Sequence, residues 1–326
     1  DRPELCTSLD IVPTILAAAG AEGPHDFPGL NLFPYLESGD TVDRDTLYGE
    51  SFAHDIADIE NPQVSLLYRW VIKGKDKLLL TYDGRPGKMK YPPKGGEAQL
   101  YDLAKDPGET TNLASAHPEK FKELSALLDK WYVADQRQVG KVSEVAPNSE
   151  KKSPRKPRGK VKGKAKGPAA EKQAAAPDKA TSRPNILLLY ADDQRNHTLG
   201  CAEHPIVKTP NIDRLAGEGV RFENAFVSTS TCWVGRASLF TGCYERRHLY
   251  RAIPGPLDPE LCKTSYFAVL KEAGYRTGHL GKEHVSIADE SAELMWDVRQ
   301  KISRRPYFKK VDDGSERHET QILGDW

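Results

Sequence analysis

A cysteine and an arginine stand four residues apart in the segment STCWVGRASLFTG, residues 230–242. If a helix begins at Cys232, its side chain meets the positive end of the helix dipole, and Arg236 follows one turn later near the same face. That arrangement suits an anionic ligand. A lone cysteine is also common as a small buried hydrophobe. The spacing therefore leaves two interpretations open, an anion-directed site and a core helix.

Two adjacent acids, Asp192 and Asp193, end the apolar run RPNILLLYADDQ. A continuous apolar run of this kind predicts a strand buried on both faces. Adjacent carboxylates at such a strand end favour a hard divalent cation, because Ca²⁺ and Mg²⁺ prefer carboxylate oxygens. A solvated loop or a helix cap is the alternative.

The elements around these residues predict an α/β unit over residues 183–326. The segment TPNIDRLAGEGVRFENAFV reads as a helix, a stop at Gly219 and a strand, and SYFAVLKEAGYRTGHLGKEH repeats the pattern. The last residues, ERHETQILGDW, are expected to be helical. Alternating strands and helices imply a mostly parallel sheet covered by helices. In such sheets, sites form beyond the carboxyl ends of the strands, where the two aspartates are expected.

Residues 1–135 predict a different, smaller α+β unit. CTSLDIVPTILAAAG has the apolar spacing of a buried helix that stops at Gly20, and LLYRWVIKGKDKLLLTY predicts a hairpin around a Gly-Lys turn. KFKELSALLDKWYVA predicts an amphipathic helix after Pro118. We expect a small antiparallel sheet with a covering helix.

Residues 136–182 predict a basic, disordered linker. The balanced total of 47 basic and 47 acidic residues conceals 14 basic and 4 acidic ones between Gln136 and Arg183, a net of +10. Large apolar residues are almost absent there, so burial cannot offset the ordering entropy. Electrostatic binding of a nucleic acid or sulfated glycan is the alternative, but no interleaved aromatic residues are present to stack on bases. We therefore expect no nucleic-acid partner. No apolar run approaches the roughly 20 residues that span a bilayer.

Four blocks together resemble the sulfatase family: PNILLLYADDQ, TPNIDRLAGEGVRFENAFV, CWVGRASLFTG and LKEAGYRTGHLGKEH. They occur in the family's order and cover nearly all of residues 183–326. The resemblance implies the N-terminal part of an alkaline-phosphatase-like domain. TSLDIVPTILAAAG and AQLYDLAKDPGETTNLA in residues 1–135 resemble the C-terminal part of a sulfatase. We therefore expect a tandem protein, of which this chain is a fragment that spans the junction of two sulfatase domains.

The resemblance also implies roles for single residues. Cys232 matches the cysteine that is oxidised to formylglycine, whose hydrated aldehyde attacks sulfur and then releases sulfate by re-forming the aldehyde. His284 matches the residue that assists proton transfer, and Lys282 the lysine that contacts sulfate. Without the resemblance, each would be taken for an ordinary surface side chain. Arg236 would support the diol and the metal. The metal is Ca²⁺, held by Asp192, Asp193 and the modified Cys232, with its remaining ligands outside this chain.

The match departs from the family at two motif positions. Val234 stands where proline or alanine is usual, and Trp233 stands where small residues are common. The family's other metal ligands, with a further histidine and lysine, lie in a middle section that neither part contains. We expect the isolated chain to be inactive.

The expected partners are a sulfated small molecule or glycan and a formylglycine-generating enzyme, in a periplasmic or secreted setting. Two other functions stay open. One is a phosphoester or phosphonate hydrolase of the same superfamily, and the other is a degenerate, non-catalytic module that binds polyanions. The stretch GCYERRHLYRAIPGP after the signature is either a contact for a sulfated sugar or a salt-bridged surface segment.

Overall fold

The computed structural model describes residues 1–23, 26–52, 65–82, 98–132, 183–195, 197–250 and 255–301, with two short strands at 308–310 and 316–318. The predicted linker, residues 136–182, lies outside this part of the chain. Within the described residues the protein is mixed α/β, with parallel and antiparallel strand pairs. The predicted α/β class is confirmed. No helix within the described ranges combines the length and apolarity needed to cross a membrane.

The first unit contains five strands and three α-helices within its described residues. In chain order they are β1 (Arg2–Thr7), α1 (Ile11–Ala18), α2 (Phe33–Ser38), β2 (Thr46–Phe52), β3 (Leu66–Lys73), β4 (Asp76–Thr81), β5 (Gln99–Asp102) and α3 (Pro118–Trp131).

The second unit supplies the remaining elements. They are α4 (Pro210–Glu218), β6 (Phe222–Phe226), α5 (Cys232–Thr241), α6 (Glu245–His248), α7 (Pro259–Lys263), α8 (Tyr266–Glu272), β7 (Gly278–Gly281), α9 (Asp289–Met295), β8 (Val298–Lys301), β9 (Phe308–Lys310) and β10 (Glu316–His318).

Strands β2 to β5 form an antiparallel sheet in the order β2-β3-β4-β5, as predicted for the first unit. The hairpin between β3 and β4 turns at Gly74, whose φ of 57° is a left-handed conformation that favours glycine. Helix α3 covers one face and buries Leu124 and Leu128 against Val71 and Leu78. The prediction of an amphipathic helix that covers the antiparallel sheet is therefore confirmed.

The two units pack against each other. Strand β1 pairs in parallel with β6, with Cys6 opposite Ala225. The backbone N–H of Arg2 donates to the carbonyl of Arg221 at 2.8 Å. Helix α1 buries its apolar face against α8, in a cluster that contains Val12, Leu16, Ala19, Tyr266 and Leu270. The parallel neighbour of β6 thus comes from the start of the chain.

The predicted strand over residues 183–192 is wrong. The chain is irregular there, and Leu187 and Leu189 are 82% and 74% exposed. A continuous apolar run forms a doubly buried strand only where neighbouring strands and helices cover it. Among the described residues, only Ile186 of this run joins a core cluster, that of α1 and α8.

The parallel pairing predicted for the second unit is confirmed at β7 and β8, where His279 lies opposite Arg299. A small core fills the space between α5 and α9, with Phe240, Met295 and Trp296 at its centre. This core fixes the helix that begins at Cys232.

Candidate active site

Cys232 is the first residue of α5, which is the helix start that an anion-directed site at this position requires. Thr231 before it has an extended backbone, and the helix ends in a left-handed Gly242. The following residues Val234, Ala237 and Phe240 are buried, which anchors the helix in the core. The Cys232 side chain is half-buried at the exposed end of the helix.

Two distant segments bring polar side chains to the Cys232 sulfur. The Sγ atom lies 3.3 Å from Oδ1 of Asp192 and 3.1 Å from Nδ1 of His284. Asp192 follows the apolar run at 185–191, and His284 follows β7. These residues are 40 and 52 positions from Cys232 in sequence, so the fold is what places them together.

Two cations complete the arrangement around Asp192. An Nη2 group of Arg236 donates to Asp192 Oδ1 at 3.1 Å, and Lys282 Nζ donates to Oδ2 at 2.5 Å. Arg236 also donates from Nη1 to the Lys282 carbonyl at 2.6 Å, which ties α5 to the loop after β7. The Arg236 side chain is only 6% exposed, and its Nε has no partner among the described residues. A buried guanidinium with an unused donor favours a further anionic acceptor in the site.

The electrostatics of Asp192 follow from these contacts. The hydrogen bond from Lys282 is the largest influence that lowers the pKa of Asp192, which falls to about 2, and Cys232 and Arg236 act in the same direction. The same hydrogen bond raises the pKa of Lys282. Asp192 is therefore an anion and Lys282 a cation over the whole physiological pH range.

Asp193 stands apart from this cluster. Its φ of 54° is left-handed, and the structure gives it no hydrogen bond or ion pair with another described residue. His284 has a similar φ of 51°. Positive φ at residues other than glycine costs free energy and is concentrated at functional sites.

The donor chemistry at Asp192 and Asp193 fits a hard cation. Both side chains offer carboxylate oxygens, the ligand type that Ca²⁺ prefers. Within the described ranges, no group of three or more His, Cys, Asp or Glu side chains is arranged to hold a metal ion. The oxygens of Asp192 instead face Lys282 and Arg236, which marks the position as one that attracts positive charge.

Two aromatic residues belong to the site and were not predicted as part of it. Tyr190 lies under Arg236, with the guanidinium carbon 4.9 Å from the ring centroid. Trp233 meets the His284 ring edge-on, with centroids 5.6 Å apart. The position of Tyr190 two residues before Asp192 was an available signal, because alternate residues of an extended chain share a side.

The described part of the stretch after the signature, residues 242–250, packs against the first unit. Arg246 donates to the buried carboxylate of Glu50 at 2.6 Å and packs on Trp131. This contact supports the salt-bridged interpretation of that stretch over a sugar contact.

The second part of the chain is similar in sequence to known proteins. The sulfatase family model matches residues 184–320. Arylsulfatase A of Bos taurus is 42% identical over 122 residues, which are 35% of this chain and 24% of that protein. The N-acetylgalactosamine-6-O-sulfatase of Bacteroides thetaiotaomicron is 41% identical over 112 residues, 33% of this chain and 22% of that protein.

A solved structure described as a complex with its substrate D-glucosamine-2-N,6-O-disulfate is 26% identical and covers 40% of this chain and 24% of that one, with a TM-score of 0.28. Through residues 184–320 the chain is similar to the sulfatase family. It spans about a quarter of the length of the curated relatives that it matches.

Proposed function

We propose that this chain contributes the nucleophile-bearing part of the active site of a sulfuric ester hydrolase. The observation that carries the proposal is one polar cluster at Cys232. Asp192 and His284 contact its sulfur, and Arg236 and Lys282 donate to Asp192. Side chains from two distant segments join those of α5 at the residue where the sulfatase family carries its formylglycine. A core helix alone would not require this arrangement.

The Cys232 sulfur occupies the position that a formylglycine oxygen would take. A formylglycine hydrate supplies one hydroxyl that attacks sulfur and a second that allows sulfate to leave. His284 Nδ1, at 3.1 Å, is within reach to accept or return a proton at that atom. Asp192 accepts a hydrogen bond from the same side chain and fixes its orientation.

Lys282 and Arg236 supply positive charge where a sulfate group would approach. Their amine and guanidinium groups are aimed at one small region beside Cys232. Fixed positive charge that faces a developing anion stabilises the transition state without reorganisation. Arg236 is held from below by the ring of Tyr190, so its orientation is set before substrate binds.

A calcium ion would be held by Asp192 and Asp193 together with the modified Cys232. When bound, such an ion polarises sulfate oxygens. With Asp192 engaged in that way, Lys282 and Arg236, which now donate to Asp192, would be available to bind the sulfate group. The remaining ligands would come from sulfatase sequence outside this chain, so the isolated chain is expected to be inactive.

The proposed organisation has three parts. Residues 1–135 are the C-terminal portion of one sulfatase-like domain, residues 136–182 a basic linker, and residues 183–326 the N-terminal portion of a second domain. The proposed substrate is a sulfated carbohydrate, since two of the matching relatives are named for 6-O-sulfated amino sugars. A periplasmic or secreted location and a formylglycine-generating enzyme as partner are part of the same proposal.

The test is the mass of the peptide that carries Cys232. The full chain is co-expressed with a formylglycine-generating enzyme and digested with trypsin, which releases residues 222–236 as one peptide. We expect a loss of about 18 Da, the change from thiol to aldehyde. The Cys232→Ala variant is the control, because its peptide has nothing to convert.

A second variant tests whether Val234 alone prevents conversion of Cys232. Val234→Ala restores a residue that is usual in the family at that position. Conversion in the Val234→Ala variant but not in the natural chain would show that Val234 limits recognition and that the site is otherwise competent. An unmodified thiol in both chains would overturn the formylglycine mechanism.

A further inference from the structure

Helix α5, which begins at Cys232, is held at both ends by the first unit. On its N-terminal side, the hydroxyl of Thr229 donates to the carbonyl of Glu50 at 2.7 Å. The N–H of Glu50 donates to the carbonyl of Ser228 at 3.3 Å. Ser228 and Thr229 are 1% and 3% exposed. The last residues before the nucleophile position are thus fixed on strand β2.

The C-terminal end of α5 meets the first unit again. Gly242 has a left-handed φ of 67°, and a Cβ at that position would lie 2.6 Å from the ring of Phe27 and 3.2 Å from Cβ of Val12. The approach is so close that a side chain would displace Phe27. Helix α1 and the segment after it therefore fit against the end of α5.

A buried ion pair lies just beyond that end. The carboxylate of Glu50 accepts the backbone N–H of Arg246 at 3.0 Å and its Nη1 group at 2.6 Å. The Glu50 side chain is fully buried, whereas that of Arg246 is 28% exposed. Glu50 of β2 thus contacts Thr229 before α5 and Arg246 after it.

Aromatic rings from both units surround the guanidinium of Arg246. Its carbon lies 4.2 Å from the Trp131 ring centroid, 4.9 Å from that of Tyr132 and 4.7 Å from that of Tyr244. Trp131 also meets Tyr244 edge-on, with centroids 5.2 Å apart. Cation–π contacts of this kind gain strength when they are shielded from water.

We propose that residues 1–132 dock on residues 183–301 through non-covalent contacts that do not need the linker. This docking sets the position of α5 and of Cys232. The surface on the second unit fits a C-terminal sulfatase segment, which here precedes it in the chain. Glu50 is the principal positioning residue, since it contacts both sides of α5. The contacts of this interface do not depend on the identity of the substrate.

The first test asks whether the interface holds the two units together without the linker. A recognition site for a sequence-specific protease is inserted in the full chain between residues 150 and 170, and the folded protein is cleaved. We expect the two fragments to elute as one species in size-exclusion chromatography under native conditions. Elution as two separate species would overturn the proposal.

The second test measures whether Glu50 positions α5. In the Glu50→Gln variant, the amide N–H₂ would face the Nη1 donor of Arg246, so one acceptor is lost in a buried site. We expect amide hydrogen exchange to become at least about tenfold faster in residues 228–246. Exchange in the β3–β4 hairpin should be unchanged.

The matched control is Glu123→Gln in the same unit. Glu123 pairs with Lys73 at 2.9 Å, but both side chains are about 40% exposed. This variant should leave exchange in residues 228–246 unaltered. Equal exchange in the Glu50→Gln variant and the natural chain would contradict the positioning role, even if the cleaved fragments stay together.

Discussion

The antiparallel sheet of the first unit and the apolar run before Asp192 use similar residues with opposite results. Val71, Ile72 and Leu78 are fully buried, whereas Leu187 and Leu189 are largely exposed. Antiparallel strands joined by tight turns bring their own neighbours with them. Parallel strands pair with strands that are distant in sequence. The apolar run before Asp192 therefore needs distant chain segments in order to become a buried strand. The antiparallel sheet therefore buries its apolar residues with neighbours from its own unit, whereas the apolar run before Asp192 stays exposed.

The largest expected difference between the two regions concerns apolar truncations. Leu78→Ala should reduce the free energy of unfolding by about 2–5 kcal/mol, because it leaves a cavity against α3. Leu187→Ala should change it by no more than about 0.5 kcal/mol. Urea unfolding followed by tryptophan fluorescence measures both. Similar losses in the two variants would contradict the comparison.

A smaller effect is expected at two left-handed glycines. Gly242→Ala should cost about 2–3 kcal/mol, since backbone strain adds to displacement of Phe27. Gly74→Ala has the same type of strain but open space around the new Cβ, so it should cost only about 1 kcal/mol. Thermal unfolding of both variants gives the difference. Equal costs would show that α1 and α5 are not in close contact.

Acid should weaken the second unit through His279. Its ring lies among Phe240 and Trp296, and burial lowers its pKa below 6.5. The unfolded chain then binds a proton that the folded one does not, so stability is full above pH 6.5 and falls below it. One such group contributes at most about 1.4 kcal/mol per pH unit.

The variant that tests this pH dependence is His279→Phe. It keeps an aromatic ring in the core and removes the titration. Urea unfolding between about pH 7.5 and 5.5 should then show a shallower decline than in the natural chain. If the free energy of unfolding declines as steeply with acid as in the natural chain, another group causes the acid sensitivity.

The smallest effects are expected at exposed ion pairs, and both regions should behave alike there. Arg214 pairs with Glu218 at 2.8 Å, with both side chains more than 60% exposed. Arg214→Ala and Lys73→Ala should each change stability by less than about 1 kcal/mol. The differences should shrink further in about 0.5 M salt, because mobile ions screen exposed charges. A larger, salt-resistant loss would indicate a buried network instead.

Local signals in the sequence predicted much of the fold. The stop at Gly20 and the turn at Gly74 were both predicted from short stretches and are confirmed. Each depends on side-chain spacing or on a backbone angle that a few neighbouring residues determine. The helix expected near the chain's last residues is wrong at 316–318, where β10 forms.

The contacts of the site and of the interface were harder to predict. The resemblance to sulfatases named Asp192, Arg236, Lys282 and His284, but spacing alone left each of them open. Tyr190 was not predicted, although its position two residues before Asp192 was a signal. The contact of Glu50 with Arg246 had no such signal, because no local pattern indicates which distant side chain will pair with a given residue. Such contacts are properties of the three-dimensional packing.

The pairing of Glu50 with Arg246 also has a consequence for biosynthesis. The two residues are 196 positions apart, and ribosomes add about 5–20 residues per second. Glu50 therefore leaves the ribosome about 10–40 s before its partner. During that interval the antiparallel sheet can close on its own, while helix α1 and strand β1 present apolar surface to water. A chaperone that binds short apolar segments would find its target on that apolar surface.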